Sequence, residues 1–193
     1  MLIGILGVSI LICFRDGFLS AGGNYNFRYI VRLKGGSEMR RSDREVKDPL
    51  RIEQFISKEQ IMRVAFYDNG DIYVVPLNYG FEIAEGQYRF YFHGAKAGRK
   101  YELSKIRPSV GFEIDGRYEL LEAESACDYS AKFQSVIGTG VISIIDDLEE
   151  KERGLNILMK QVAGEKAWHY SQEMLNGVAV FRLDVEKISC KAK

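Results

Sequence analysis

Alternating apolar and polar residues predict that most of this chain forms β-strands. Two such runs, residues 61–67 and 72–81, are joined by Asp68-Asn69-Gly70-Asp71. An Asn-Gly pair between two apolar runs is a strong β-hairpin signal. The last strand alternates cleanly, with Phe181, Leu183 and Val185 on one face. Six strands are predicted: residues 61–67, 72–81, 87–93, 109–114 with a continuation over 117–122 after a turn at Asp115-Gly116, 132–145 and 178–188.

Helices are predicted at three places between these strands. Asp48 followed by Pro49 is a helix start, since Asp caps and Pro suits the first helical position, and this helix should run to about residue 58. A second helix follows residue 93 and ends before Pro108. Asp147 caps a third, whose leucines follow helical spacing and which Gly164 ends.

The connections suggest how the strands are arranged. Pro76 cannot donate a ladder hydrogen bond, so its strand should lie at a sheet edge or be broken near Pro76-Leu77-Asn78. Hairpin links favour antiparallel pairing. The predicted class is therefore α+β, mainly β: a small closed or split six-stranded antiparallel barrel with flanking helices.

Composition narrows the class of protein. The chain has 193 residues, 46% hydrophobic, which is enough for one domain with a substantial core. Twenty-seven basic residues balance 27 acidic ones, so no overall field attracts the chain to nucleic acid or to an anionic membrane. Cys13, Cys127 and Cys190 form neither a disulfide framework nor a zinc pattern, and a reducing cytoplasm is the simplest setting.

The first 38 residues differ in character from the rest. Residues 1–14 are apolar and uncharged, but they are too short for a membrane span and lack the basic start of a signal peptide. Lys34-Gly35-Gly36 is what a purine-rich ribosome-binding site would encode. Our hypothesis is that residues 1–38 are an N-terminal extension from a mis-assigned start, and that the domain begins at Met39 and spans residues 39–193.

One stretch, residues 88–103, combines an aromatic strand with a basic, glycine-bearing helix start. Lys96, Arg99 and Lys100 can give charge-assisted hydrogen bonds to phosphate, and Gly94 and Gly98 let backbone approach a ligand closely. The first turn of a helix also has unpaired N–H groups and the positive end of the macrodipole. The alternative is an ordinary solvated basic surface. Spacing alone leaves both readings open.

Side chains alone offer this chain little catalytic power. It has two histidines, His93 and His169, and no His-Glu-x-x-His or Cys-x-x-Cys motif, so no metal site is expected. It has no Gly-x-Ser-x-Gly elbow, and Gly138-Thr139-Gly140 lacks the third glycine of a dinucleotide fingerprint. An enzyme of this composition would take its chemistry from a cofactor.

The segments MRVAFYDNGDIYVVPLNYGFE, YRFYFHGAKAGRKYEL, GFEIDGRYELL, ACDYSAKFQSVIGTGVI and GVAVFRLDVEKISCK, in this order, resemble one family. The chain is similar to the flavin-binding split-barrel proteins related to pyridoxamine-phosphate oxidase, and within them to the Nim-type nitroimidazole-resistance proteins. This resemblance implies an FMN-binding split β-barrel that forms a homodimer with flavin at the subunit interface. The chain lacks the Arg- and Trp-rich C-terminal segment of true pyridoxamine-phosphate oxidases, which argues against vitamin B6 oxidation.

The resemblance also implies site residues. The isoalloxazine ring would lie against residues 62–65 and 75–78. Lys96 and Lys100 would hold the FMN phosphate, with Arg63 or Arg99. His93 falls where the Nim-type branch has a histidine beside the flavin, and it could orient or protonate a substrate or simply cap the next helix. The expected cofactor-binding residues are Arg63, Val64, Val75, Pro76, Leu77, Asn78, His93, Lys96, Arg99, Lys100, Lys132, Gln134, Ser135 and Val136.

The function implied is an FMN-dependent oxidoreductase of the cytoplasm that passes electrons from NAD(P)H to a small acceptor such as a nitroaromatic. Two alternatives remain. One is a flavin-binding sensor or scavenger without turnover. The other is a split barrel that binds haem or a deazaflavin.

Overall fold

The protein is described by a computed structural model, which describes residues 41–193. The hypothesis about residues 1–38 and a start at Met39 concerns residues outside this range. After a 3₁₀ turn at Ser42–Arg44, the chain forms the following elements: α1 (Pro49–Ile56), β1 (Ile61–Asp68), β2 (Asp71–Asn78), β3 (Gly80–Ala84), β4 (Gln87–Gly94), α2 (Arg99–Ile106), β5 (Ser109–Leu121), β6 (Ser130–Ile145), α3 (Leu148–Ala163), α4 (Gln172–Gly177) and β7 (Ala179–Ala192).

The strands form one antiparallel sheet in the order β2-β1-β5-β6-β7-β4-β3. The mainly β class, the antiparallel pairing and the split-barrel arrangement with outer helices are confirmed. Pro76 lies on the edge strand β2, opposite Arg63 of β1, as its missing N–H requires.

The count of six strands was one too low, because the predicted strand 72–81 is two strands. Asn78 is the last residue paired with β1, whereas Gly80 already pairs with Tyr91 of β4. Tyr79, between them, is fully buried and donates its hydroxyl to the Ile56 carbonyl at 2.7 Å. The chain therefore changes partner strands at Tyr79, which an alternating pattern cannot reveal.

Two other local predictions differ from the structure. The turn expected at Asp115-Gly116 is a β-bulge between Gly116 and Glu119, and Arg117 within it has a φ of +54°. β5 thus continues to Leu121, as the predicted continuation required. The six-residue helix α4 was not predicted. Ser171 caps it by accepting a hydrogen bond from the Met174 N–H.

The helix caps agree with expectation. The Asp48 carboxylate accepts from the Leu50 N–H at 3.1 Å, and the Asp147 carboxylate accepts from the Glu150 N–H at 2.8 Å. Gly164, with a φ of +81°, ends α3. Within residues 41–193, no helix is long and apolar enough to cross a membrane.

The core lies on the inner face of the curved sheet, where phenylalanines from four strands meet. The ring centres of Phe90 and Phe112 are 5.3 Å apart, and those of Phe92 and Phe181 are 5.2 Å apart. Tyr91 points the opposite way from Phe90 and packs under α3 with Leu155 and other apolar residues. α3 therefore covers the outer side of β4.

Substitution of Gly80 tests the close contact between β3 and α3. A Cβ at this position would collide with the backbone carbonyl of Ile157 in α3, so Gly80→Ala should lower the free energy of unfolding by about 1–3 kcal/mol. Gly177→Ala is the control, since its Cβ would meet no atom within 4 Å and the change should stay within about 0.5 kcal/mol. Urea unfolding followed by circular dichroism measures both. Equal stabilities would contradict the close approach of α3.

Candidate functional site

The first turn of α2 is open. Gly98 precedes the helix with a φ of +94°, and no side chain caps the N–H groups that follow. α1, α3 and α4 are each capped by an Asp or Ser side chain. A Cβ on Gly98 would meet no atom within 4 Å, so the backbone here is accessible. Uncapped N–H groups at a helix start can bind an anion.

Lys100 does not extend into solvent from this turn. Its amine donates to the His93 carbonyl at 3.0 Å and lies 4.7 Å from the centre of the Phe181 ring. A Cβ on Gly94 would lie 2.7 Å from this amine, so glycine makes the room that Lys100 occupies. Burial lowers the pKa of the Lys100 ammonium. Lys100 thus joins α2 to the end of β4.

Arg99 is also engaged within the protein. Its Nε donates to the Asp68 carboxylate at 2.7 Å, and its guanidinium lies 4.9 Å from the centre of the Tyr73 ring. These contacts tie α2 to the β1–β2 hairpin. Lys96, by contrast, is exposed and takes part in no ion pair among residues 41–193. Of the three basic residues predicted here, Lys96 is the one whose charge is available to a ligand.

His93 is at the end of β4, opposite Val180 of β7. Its side chain is exposed, yet burial of part of the ring and, to a smaller extent, the charge of Lys100 lower the pKa of His93. In a neutral imidazole, one ring nitrogen donates a hydrogen bond and the other accepts one. His93 therefore lies next to the Lys100 anchor in an environment that favours the neutral form of its imidazole.

A second group of predicted residues lies on the outer face of β2, β1, β5 and β6. Arg63 pairs in register with Pro76 and with Glu113, and Ser135 lies opposite Asp115. Arg63 donates to the Glu113 carboxylate at 3.0 Å and also to the Asp115 carboxylate. Burial raises the pKa of Glu113.

The sequence reading missed Glu113 and Asp115. Their spacing of two along a strand places both on the face of Arg63, and this alternation could have identified them. Asn78 shares that face and donates its amide to the Gln60 carbonyl at 3.0 Å.

Exposed apolar side chains surround this ion pair. They alternate with inward-facing core residues, so they belong to the outer face. We call this surface the apolar sheet face. Its members, each between 48% and 64% exposed, are Ile61 and Tyr67 of β1, Ile72 and Val74 of β2, and Ile137 of β6.

The side chains of the remaining predicted residues on these strands face the core and not the outer face. Val64 and Val136 are fully buried in the core, and Val75 and Leu77 pack against it, so a ligand on the outer face could reach only their backbone. Gln134 is buried as well.

Lys132 is paired with Glu119 at 3.0 Å, close to Gln134 at the start of β6. Within this chain, the predicted site residues are thus divided among three places: the α2 start, the apolar sheet face and the start of β6. Among residues 41–193, no cluster of His, Cys, Asp or Glu could hold a metal ion.

The sequence of residues 48–192 matches the pyridoxamine 5'-phosphate oxidase family. The chain belongs to this family, and its seven-stranded sheet has the family's split-barrel fold. No curated protein matches the chain significantly.

Solved structures of similar fold are known. A Bacteroides thetaiotaomicron protein with a proposed role in 5-nitroimidazole antibiotic resistance is 28% identical, with a TM-score of 0.67 over 77% of this chain and 86% of that one. A flavocytochrome from Azotobacter vinelandii is 22% identical, with a TM-score of 0.65 over 77% and 69% of the two chains. An FAD- and haem-binding protein from Mycobacterium smegmatis is 14% identical, with a TM-score of 0.69 over 78% and 73%. At these identities the last two show the fold alone.

The lowered pKa of His93 gives a titration test. In the folded protein its NMR midpoint should fall below the ordinary value of about 6.5. Since the unfolded chain then binds more protons, His93 costs stability as pH falls through about 6.5, and this cost is absent above it. Lys100→Met should raise the midpoint, because it removes the neighbouring charge. His93→Gln identifies the resonance, and a midpoint above 6.5 would contradict the described environment.

Proposed function

We propose that this protein is an FMN-binding flavoprotein that acts as an oxidoreductase on a small acceptor. Membership of the pyridoxamine 5'-phosphate oxidase family supports a flavin ligand. The likeness to a protein with a proposed role in 5-nitroimidazole resistance favours a nitro compound as the acceptor.

The observation that carries the proposal is the uncapped start of α2 beside the available charge of Lys96. A phosphate monoester needs several N–H donors and a cation, and this corner offers both. Lys96 would bind the FMN phosphate together with first-turn N–H groups. Arg99 and Lys100 would add positive potential, while their present contacts with Asp68 and the His93 carbonyl hold α2 in place.

The ring system would lie toward the apolar sheet face. Arg63 would place a positive charge near the flavin, with Pro76 and Asn78 on the neighbouring strand, and His93 would orient the substrate or hold a proton on its ring nitrogen. Bound FMN would supply hydride and single-electron chemistry that these side chains lack. The protein's part is to bind, orient and shield.

The same surface supports the proposal of a homodimer. The apolar sheet face leaves five large side chains exposed, and exposed apolar patches of this kind mark interaction sites. We propose that a second copy covers it, so that each flavin lies between two protomers. The free thiols of Cys127 and Cys190 support a cytoplasmic location.

The ultraviolet-visible spectrum of the purified chain, with FMN titration, tests the proposal. A flavin spectrum that NADH or NADPH bleaches and a nitroaromatic restores is expected. Lys96→Ala should weaken FMN binding about 10- to 100-fold, since a hydrogen bond to a charged group contributes about 1.5–3 kcal/mol. Lys58→Ala, which removes an equivalent exposed charge after α1, should leave the affinity unchanged.

Other spectra would indicate a different ligand or a different function. A Soret band would indicate haem, and FAD in place of FMN would appear on extraction of the ligand. A flavin that neither reductant bleaches would favour a sensor or scavenger, and a colourless protein that binds no added FMN would overturn the proposal.

The proposed dimer has its own test. Val74→Asp places a charge on the apolar sheet face and should shift the protein toward the monomer in sedimentation velocity experiments. Leu50→Asp is the matched control, because Leu50 is 65% exposed on α1, away from that face. A dimer that persists in Val74→Asp would exclude this face as the interface.

A further inference from the structure

A basic cleft lies where α1, the bulge in β5 and the start of β6 meet. Its volume of about 390 Å³ is within the range of small-molecule sites. It is neither the α2 corner nor the apolar sheet face. Its lining consists of Arg51, Arg117, Glu119, Lys132, Phe133, Gln134, Ala192 and Lys193.

The charges of this cleft are unbalanced. Four basic side chains line it against one acidic side chain, Glu119, and Glu119 is already paired with Lys132 at 3.0 Å. Arg51 and Arg117 take part in no ion pair among residues 41–193. Two guanidinium groups thus line one concave site, and neither forms an ion pair with Glu119. A guanidinium can bind a carboxylate or phosphate through two parallel N–H donors.

The backbone directs Arg117 into this cleft. The register shift between Gly116 and Glu119 leaves Arg117 outside the regular ladder, with a left-handed φ of +54° and its guanidinium 5.9 Å from the centre of the Phe55 ring of α1. Bulges commonly re-aim a side chain, and a left-handed arginine costs free energy that surrounding structure must offset. The strained backbone of Arg117 therefore positions a guanidinium that has no acidic partner among residues 41–193.

Gln134 adds a buried polar group to the lining. Its side chain is only 4% exposed, and the amide makes one weak contact, 3.8 Å from Nε2 to the Cys190 sulfur. Its Oε1 accepts no side-chain hydrogen bond among residues 41–193 and is not one of the fully buried unpaired atoms, so this oxygen is accessible from the cleft. A ligand in the cleft can supply a hydrogen-bond partner.

We propose that this cleft binds a small organic anion, a carboxylate or a phosphate ester, held by Arg51 and Arg117 and contacted by the Gln134 amide. Lys132 and Gln134, expected from the family resemblance to complete the flavin site, would then serve this second site. The inference goes beyond the proposed function, because it requires neither FMN nor turnover.

Isothermal titration calorimetry of the full chain, before and after saturation with FMN, tests the proposal. Inorganic phosphate and succinate are the two probes, and whichever binds more tightly identifies the anionic group. Arg51→Gln and Arg117→Gly should each weaken binding about tenfold or more. Arg117→Gly keeps the left-handed backbone that glycine prefers, so the loss would report the guanidinium and not misfolding. The Gln134 side-chain amide resonances should shift on binding.

Arg107→Gln is the matched control, since it removes an arginine charge outside the cleft lining, where Arg107 donates to Asn69 of the β1–β2 turn. Three results would overturn the proposal: no saturable binding of either probe up to about 10 mM, loss of binding in Lys96→Ala, or loss of probe binding once one equivalent of FMN is bound. The FMN affinity of the unmodified chain is measured separately from these three results. The cleft proposal and the FMN proposal can therefore fail independently.

Discussion

The position of α2 depends on one partly buried amine. Lys100 reaches under the first turn to the His93 carbonyl and the ring of Phe181, through the space that Gly94 leaves free. A desolvated ammonium is stable only if it is well paired, so this contact fixes the helix against the end of β4. The uncapped start of α2, with Lys96 just before it in the chain, is therefore held next to the end of β4.

Ion pairs within the protein decide which basic side chains remain available to a ligand. The chain is neutral overall, and many of its basic groups are joined to carboxylates on neighbouring strands and helices, as Arg99 is to Asp68 and Lys132 is to Glu119. Exposed pairs of this kind add little stability, yet they remove charge from ligands. Within residues 41–193, the basic side chains that form no ion pair include Lys96 and, in the basic cleft, Arg51 and Arg117.

Much of the fold could be predicted from the sequence because its signals are local. The Asn-Gly hairpin, the caps at Asp48 and Asp147 and the alternation of β7 each depend on a few adjacent residues. The missed break at Tyr79 depends on a contact with a carbonyl 23 residues away. No pattern along the chain carries that information.

The sequence by itself determined the class of fold, the edge position of Pro76 and the basic, glycine-bearing start of α2. Periodicity and backbone chemistry are enough for these. Only the tertiary structure decided that Lys100 points inward, that Arg63 meets Glu113 and Asp115, and that Lys132 and Gln134 lie in a separate cleft with Arg51. The reason is physical: a side chain's type sets what it can bind, whereas its partners depend on which strands pack together and on which face it points.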